Sequence, residues 1–283
     1  MKSVTDPCWS EARLTDVVEQ VRRSHGLDLS PFNRVFLTKS LIKRQAAVSA
    51  ECVDDYFGLL GESLPEAMAL QLSLFIIYSE FFRNPLAFSL LEKVFLPQIL
   101  DEKERSGHGE IRVWSAGCAT GQEAWSVAIL LNELQRKSVS FRLIATDRSE
   151  PALAQARAGV YSAEALGNVR MRHVKRYFSR QGESFVVDPG LAEWVNFSVY
   201  DLLDESTICP PESIFGNFDL VLCCNVLFYY RPQMQQRILQ KIRRCLTPGG
   251  YLVTDEAERG IVETAGGFLP AAQLASVFGK MSK

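Results

Sequence analysis

The chain has 283 residues, 47% of them hydrophobic and 23% charged, with a formal net charge of −2. That length holds two compact domains, or one with a substantial extension, and so small a net charge gives no overall attraction to nucleic acid. The stretch through Asp16 lacks the apolar core of a secretory signal, and no apolar run approaches the ~18–20 residues that span a bilayer, so a cytoplasmic protein without membrane insertion is expected.

Residues 11–75 read as short helices. TDVVEQVRRSHG sets Val17, Val18 and Val21 on one face and stops at Gly26, and segments near 38–47, 51–60 and 64–76 repeat the pattern. Arg22, Arg23, Arg34, Lys39, Lys43 and Arg44 make this part basic, either as a solvated face or as a docking surface for an acidic partner. A further helix is expected over 87–99, and the charged DEKERSGHGE after it reads as a linker. The pattern then changes to strands at 111–116, 141–147, 195–199, 218–224 and 249–255, with helices at 122–137, from Glu150, and at 231–246. Buried strands alternating with helices imply a mainly parallel sheet covered on both faces. Residues 159–194 interrupt the alternation, with a small hairpin expected from 183–187, Asp188-Pro-Gly190 and the segment that follows, and 259–283 supply a last strand or a tail helix.

Seven cysteines include no C-x-x-C pair, and His25, His108 and His173 are far apart in sequence, which fits reduced thiols and no metal site.

The chemistry concentrates after the strand IRVWSA, where Gly117-Cys-Ala-Thr-Gly121 opens a helix that carries Glu123. Glycines there let the backbone approach a ligand, although nucleotide, flavin and methyl-donor enzymes all use such a loop. The next strand ends in Asp147, placed to accept from ribose hydroxyls or to cap the helix that follows.

The run FDLVLCCNVLFYY, a helix, then LTPGGYLV resembles S-adenosylmethionine-dependent methyltransferases. The resemblance narrows to the CheR-type chemotaxis-receptor protein-glutamate O-methyltransferases over about residues 14–255, carried by Ile77-Tyr-Ser79-Glu-Phe81-Phe82-Arg83, by Ser115 to Ser126, by ATDRSEPALAQARAGVY and by Cys224-Asn225-Val226-Leu-Phe-Tyr229. It implies a Rossmann-like α/β domain with a mainly parallel seven-stranded sheet over 111–283, a small β insertion at about 180–200, an all-α domain over 1–85, and a connecting helix and linker over 86–110. It also implies S-adenosylmethionine as cofactor and S-adenosylhomocysteine as product. Ser79, Arg83, Ala116, Gly117, Glu123, Asp147, Asp201, Asn225 and Val226 would line the cofactor, with Glu123 and Asp147 on its amino and ribose groups and Asp201 at the adenine edge. Arg83 and Tyr229 would stand beside the methyl and its acceptor; read without the family, they are equally an ion-pair residue and a core aromatic. The implied partner is a helical chemoreceptor-like protein, met by a monomer.

Departures matter. Cys224 stands where the family usually has Arg, Ile77 replaces Asn, and the final strand runs into Thr254-Asp-Glu-Ala-Glu258 instead of a G-H-S-E-like end. These leave open a same-fold methyltransferase with another acceptor, or a non-catalytic domain that senses the cofactor or its product.

Overall fold

The computed structural model describes residues 9–107, 109–136, 138–213, 216–273 and 275–281. Cys8 and His108 lie outside them, as does Lys137, where the sequence places the end of a helix. The chain divides into two compact units, residues 1–76 with 228–235, and residues 77–227 with 236–283.

The first unit is helical. Its helices are Glu11–His25, Arg34–Ala47, Val53–Glu62 and Leu64–Ser73. Ser10, Asn33, Cys52 and Ser63 supply side-chain acceptors to their first turns, satisfying N–H groups that a helix start leaves without partners. Gly26 ends the first helix in the left-handed conformation. Val17, Val21, Leu37, Leu41, Leu60 and Leu70 are buried, the inward face that their three-and-four spacing demands. Glu66 ties three of the helices together, accepting from Tyr56 Oη at 2.8 Å and from Arg44 Nε at 3.0 Å. Tyr230 belongs to this unit, stacked on Phe32 with ring centres 5.5 Å apart.

The second unit holds ten strands among its described residues: β1 (Glu110–Ala116), β2 (Ser140–Asp147), β3 (Val160–Ser162), β4 (Phe178–Gln181), β5 (Ser184–Val187), β6 (Val195–Val199), β7 (Phe218–Leu222), β8 (Leu246–Val253), β9 (Phe268–Pro270) and β10 (Val277–Lys280). Seven form one sheet in the order β6-β2-β1-β7-β8-β10-β9. The pairs from β6 through β8 are parallel and those made by β10 are antiparallel, so this is the expected Rossmann-like α/β architecture. All five residues of β7 are buried, as a central parallel strand requires. The indole of Trp114 on β1 is fully buried and donates to Thr146 Oγ1 at 3.0 Å, so burial leaves no orphaned donor.

Three expectations need correction. The stretch 101–106 is not a linker: the helix Leu96–Ser106 continues through it to Gly107. Arg136 holds that segment from outside, pairing with Asp101 at 2.8 Å and Glu104 at 2.5 Å. The small β element lies at 160–187 instead of about 180–200, because β5 pairs with both β3 and β4, while 195–199 is β6, paired with β2 in the main sheet. Third, the strand read at 249–255 lies instead at Leu246–Val253 and includes Thr247-Pro-Gly-Gly250. β8 starts at Leu246 directly after the helix Pro232–Cys245, and the proline-glycine segment is absorbed in a register shift between the pairs Phe218–Leu246 and Leu220–Tyr251, which bulges β8 against β7. Residues 259–281 give a short helix, Arg259–Ala265, and two sheet strands. No helix among the described residues is long and apolar enough to cross a membrane.

Candidate cofactor site

From β1 the chain proceeds to β2 and then β6 on one side of the sheet, and β7 and β8 lie on the other. The reversal of direction falls between β1 and β7, and a crevice at the carboxyl ends of these two strands is where such sheets bind ligands.

The loop after β1 is shaped by positive φ angles at Gly117 (83°), Ala119 (47°) and Gly121 (91°). It is fastened to the end of β2: Gly117 N and Cys118 N both donate to Thr146 O, at 2.8 and 2.9 Å, and Ala119 N donates to Asp147 Oδ2 at 2.9 Å. Asp147 Oδ1 accepts from Ser149 N at 2.9 Å. The cap of the next helix is Ser149, whose Oγ accepts from Ala152 N, so Asp147 is not consumed as the helix cap. A carboxylate offers about four acceptor positions, and the two that Asp147 gives to backbone leave capacity for hydroxyls.

A Cβ on Gly117 would come within 2.6 Å of Val226 Cγ2, which brings the loops after β1 and β7 into contact. Gly121 has a different task, since its Cβ would meet Ala156 Cβ at 2.7 Å; the absence of a side chain there lets the next helix pack closely. Ala116, at the end of β1, is buried.

Glu123 lies in the first turn of the helix Gln122–Glu133, where a negative charge suits the helix dipole. Ser115 Oγ donates to Glu123 Oε1 at 2.6 Å. Burial pushes the Glu123 carboxyl above its ordinary range, while donation from Ser115 pulls it back; the thiol of Cys224 donates to Val253 O at 3.7 Å. Arg83 is itself exposed, its guanidinium 5.4 Å from the centre of the Tyr78 ring. The segment that carries it is held by a left-handed Phe82 (φ 49°), whose N–H donates to Ser126 Oγ at 3.0 Å, and by the buried Phe81, packed on the rings of Tyr161 and Phe178. Ser79, in the same segment, is half-buried.

Beyond β6, Asp201 Oδ1 accepts from Leu203 N at 2.9 Å, with Arg148 Nε 3.5 Å from its other oxygen. Beyond β7, Asn225 is left-handed (φ 61°), and the N–H groups of Asn225, Val226 and Leu227 all point at Glu258, a residue that the sequence does not single out as part of the site. Tyr229 falls in the helical unit, its ring 4.7 Å from that of Phe36.

The structure thus joins Ser115 to Glu123 and Ala119 to Asp147, and brings Gly117 against Val226. Sequence reasoning missed the contribution of Ser115, although its place on the face of β1 opposite Trp114 is readable from strand alternation.

The family model described as CheR methyltransferase, SAM binding domain, matches residues 78–265. The chain belongs to the CheR methyltransferase family. The matched domain is the one that binds S-adenosylmethionine, so that is the cofactor of this CheR chain. Among curated relatives, an uncharacterized 104.1 kDa protein of Rhodobacter capsulatus from the hypE 3' region is 27% identical over 89% of this chain and 26% of its own length. Chemotaxis protein methyltransferase 1 of Pseudomonas aeruginosa is 32% identical over 62% of this chain and 64% of its own. The chemotaxis protein methyltransferase of Borreliella burgdorferi is 27% identical over 87% of each chain. The CheR chain thus spans about a quarter of the first of these relatives and just under two thirds of the second.

Proposed function

We propose that this chain transfers the methyl group of S-adenosylmethionine to glutamate side chains of a helical chemoreceptor-like protein, acting as a cytoplasmic monomer. The acceptor is suggested by relatives named chemotaxis protein methyltransferases. The observation that carries the reading is the fastened loop at the carboxyl ends of β1 and β2, with Ala119 N donating to Asp147 Oδ2 at 2.9 Å and Ser115 Oγ to Glu123 Oε1 at 2.6 Å.

The cofactor supplies an electrophilic methyl carbon on a sulfonium. Glu123 and Asp147 would bind its amino and ribose groups, and Asp201 the adenine edge. Ser79, Ala116, Gly117, Asn225 and Val226 would line it. An acceptor carboxylate, with an ordinary pKa of ~4.3, is already ionised at neutral pH, so its oxygen attacks without a general base. The carboxylate oxygen would bond to the methyl carbon that the bound cofactor supplies, with sulfur as the leaving atom keeping the electron pair of the carbon–sulfur bond. The protein's task is then alignment and exclusion of water. Arg83 orients the carboxylate by charge-assisted hydrogen bonding, and Tyr229 is assigned to the side of the transferred methyl.

The test is methyl transfer from labelled S-adenosylmethionine to a cognate receptor fragment. Label on glutamates, released as methanol by alkali, supports the reading; alkali-stable label, or none on the receptor, overturns it. A second reading, a different acceptor, is favoured by Cys224, whose thiol donates to Val253 O at 3.7 Å at a position where the family resemblance implies an Arg. A methylated small molecule in place of a methylated receptor would establish that reading.

A further inference from the structure

Glu258 is fully buried, a rare situation for a carboxylate unless it is heavily hydrogen-bonded. It accepts four backbone N–H groups from two loops. Oε1 takes Val226 N at 2.7 Å and Leu227 N at 2.6 Å, and Oε2 takes Asn225 N at 2.8 Å and Asp255 N at 3.2 Å. The first three belong to one turn beyond β7, and that turn contains a residue in the left-handed region, Asn225. Successive N–H groups of a turn that includes a left-handed residue form a concavity that binds an anion. Here the anion is supplied by the chain itself, from the loop beyond β8.

We propose that Glu258 is a positioning residue of the cofactor crevice, its carboxylate clamping the Asn225–Leu227 turn in the shape that presents Asn225 and Val226 to the cofactor. The inference rests on the functional reading above, which places those two residues along the cofactor. Val226 also abuts the point where a Cβ on Gly117 would lie, so a loosened turn disturbs both walls of the crevice at once.

Burial raises the Glu258 carboxyl to about 7 against the pull of its four donors. Once protonated, the group has one oxygen turned donor and cannot accept all four N–H groups, so the clamp is complete only above that range. Titratable groups facing it are the thiols of Cys223 and Cys224, both pushed well above their ordinary values by burial. On its own side stand Asp255, Glu256 and Arg259, the last paired with Glu263 at 2.9 Å and Glu256 at 3.9 Å. Glu123 is the other carboxyl raised nearby.

The experiment is calorimetric titration of the full chain with S-adenosylhomocysteine between pH 6 and 8, for wild type, Glu258→Gln and Glu123→Gln. Wild-type affinity is expected to rise at least about threefold with pH. Glu258→Gln is expected to bind weakly at both ends with the slope abolished, and Glu123→Gln to bind weakly with the slope kept. A flat wild-type profile overturns the proposal, as does a Glu258→Gln variant that keeps wild-type affinity and slope. Should Glu258→Gln not fold, the other two profiles decide, since a slope lost in Glu123→Gln assigns the titration to Glu123. No binding by wild type at any pH removes the cofactor reading itself, and this inference with it.

Discussion

Ser115 Oγ donates to Glu123 Oε1 at 2.6 Å, from the carboxyl end of a strand to the first turn of the helix that follows it. That bond fixes which way the carboxylate faces, and with it the charge that the proposed function sets against the cofactor's amino group. Glu123→Gln keeps the shape and removes the charge. A hydrogen bond to a charged group contributes roughly 1.5–3 kcal/mol, so S-adenosylhomocysteine affinity is expected to fall about tenfold to hundredfold, measured by calorimetry. Ser115→Ala should produce a smaller loss in the same direction, because it leaves the carboxylate present but unoriented.

Gly117→Ala attacks the same crevice sterically. Its φ of 83° costs a side-chain-bearing residue about 1–2 kcal/mol, and the new Cβ would lie 2.6 Å from Val226 Cγ2, an overpacking of about 1–3 kcal/mol. Lower thermal stability and loss of cofactor binding are both expected. In the double variant with Val226→Ala, part of the stability should return, because only the steric share is relieved. An equal melting temperature for the single and double variants would place the whole effect in the backbone.

Much of this site is legible in the sequence, and what is not has a common cause. Gly117, Glu123 and Asp147 sit at strand ends and in a first helical turn, positions that local pattern defines. Glu258 is 33 residues from Asn225, and nothing in either segment marks a carboxylate and three amides as partners; the bond exists only once β7 and β8 lie side by side. The same holds for the 101–106 stretch. Its charges read as a solvated linker, yet they continue a helix whose outer face is paired by Arg136 from a distant part of the chain. β6 and the hairpin β4–β5 have equally strand-like sequences, and only pairing assigns one to the main sheet and the other to the small one. Long-range pairing is invisible to periodicity.

In the helical unit, Glu66 is expected to be a principal stability determinant. Its side chain is 8% exposed and pairs with Arg44 at 2.5 Å, and it also accepts from Tyr56 Oη. Glu66→Ala leaves Arg44 and a buried tyrosine hydroxyl without their acceptor, and removing one member of a buried pair costs about 3–5 kcal/mol. Thermal or denaturant unfolding should show that loss. A change below about 1 kcal/mol would mean that water replaces the carboxylate, as it does for exposed pairs.

Glu258 gives a stability signature opposite in sign to its binding signature. Its carboxyl is raised from 4.5 to about 7 on folding, so between those values the folded chain holds a proton that the unfolded chain has lost. Stability from this group is therefore present below pH ~4.5 and declines as pH rises to about 7, by about 3 kcal/mol at ~1.36 kcal/mol per pH unit. Glu92 and Asp204, lowered by hydrogen bonds from Arg170 and Ser206 respectively, work the other way, losing stability as pH falls through their folded values. The difference between wild type and Glu258→Gln isolates the one group. In denaturant titrations across pH 5 to 8, the advantage of wild type over the glutamine variant should shrink as pH rises, while cofactor affinity in wild type grows. A difference independent of pH would mean that the carboxyl keeps its unfolded value, and that four backbone donors fully offset its burial.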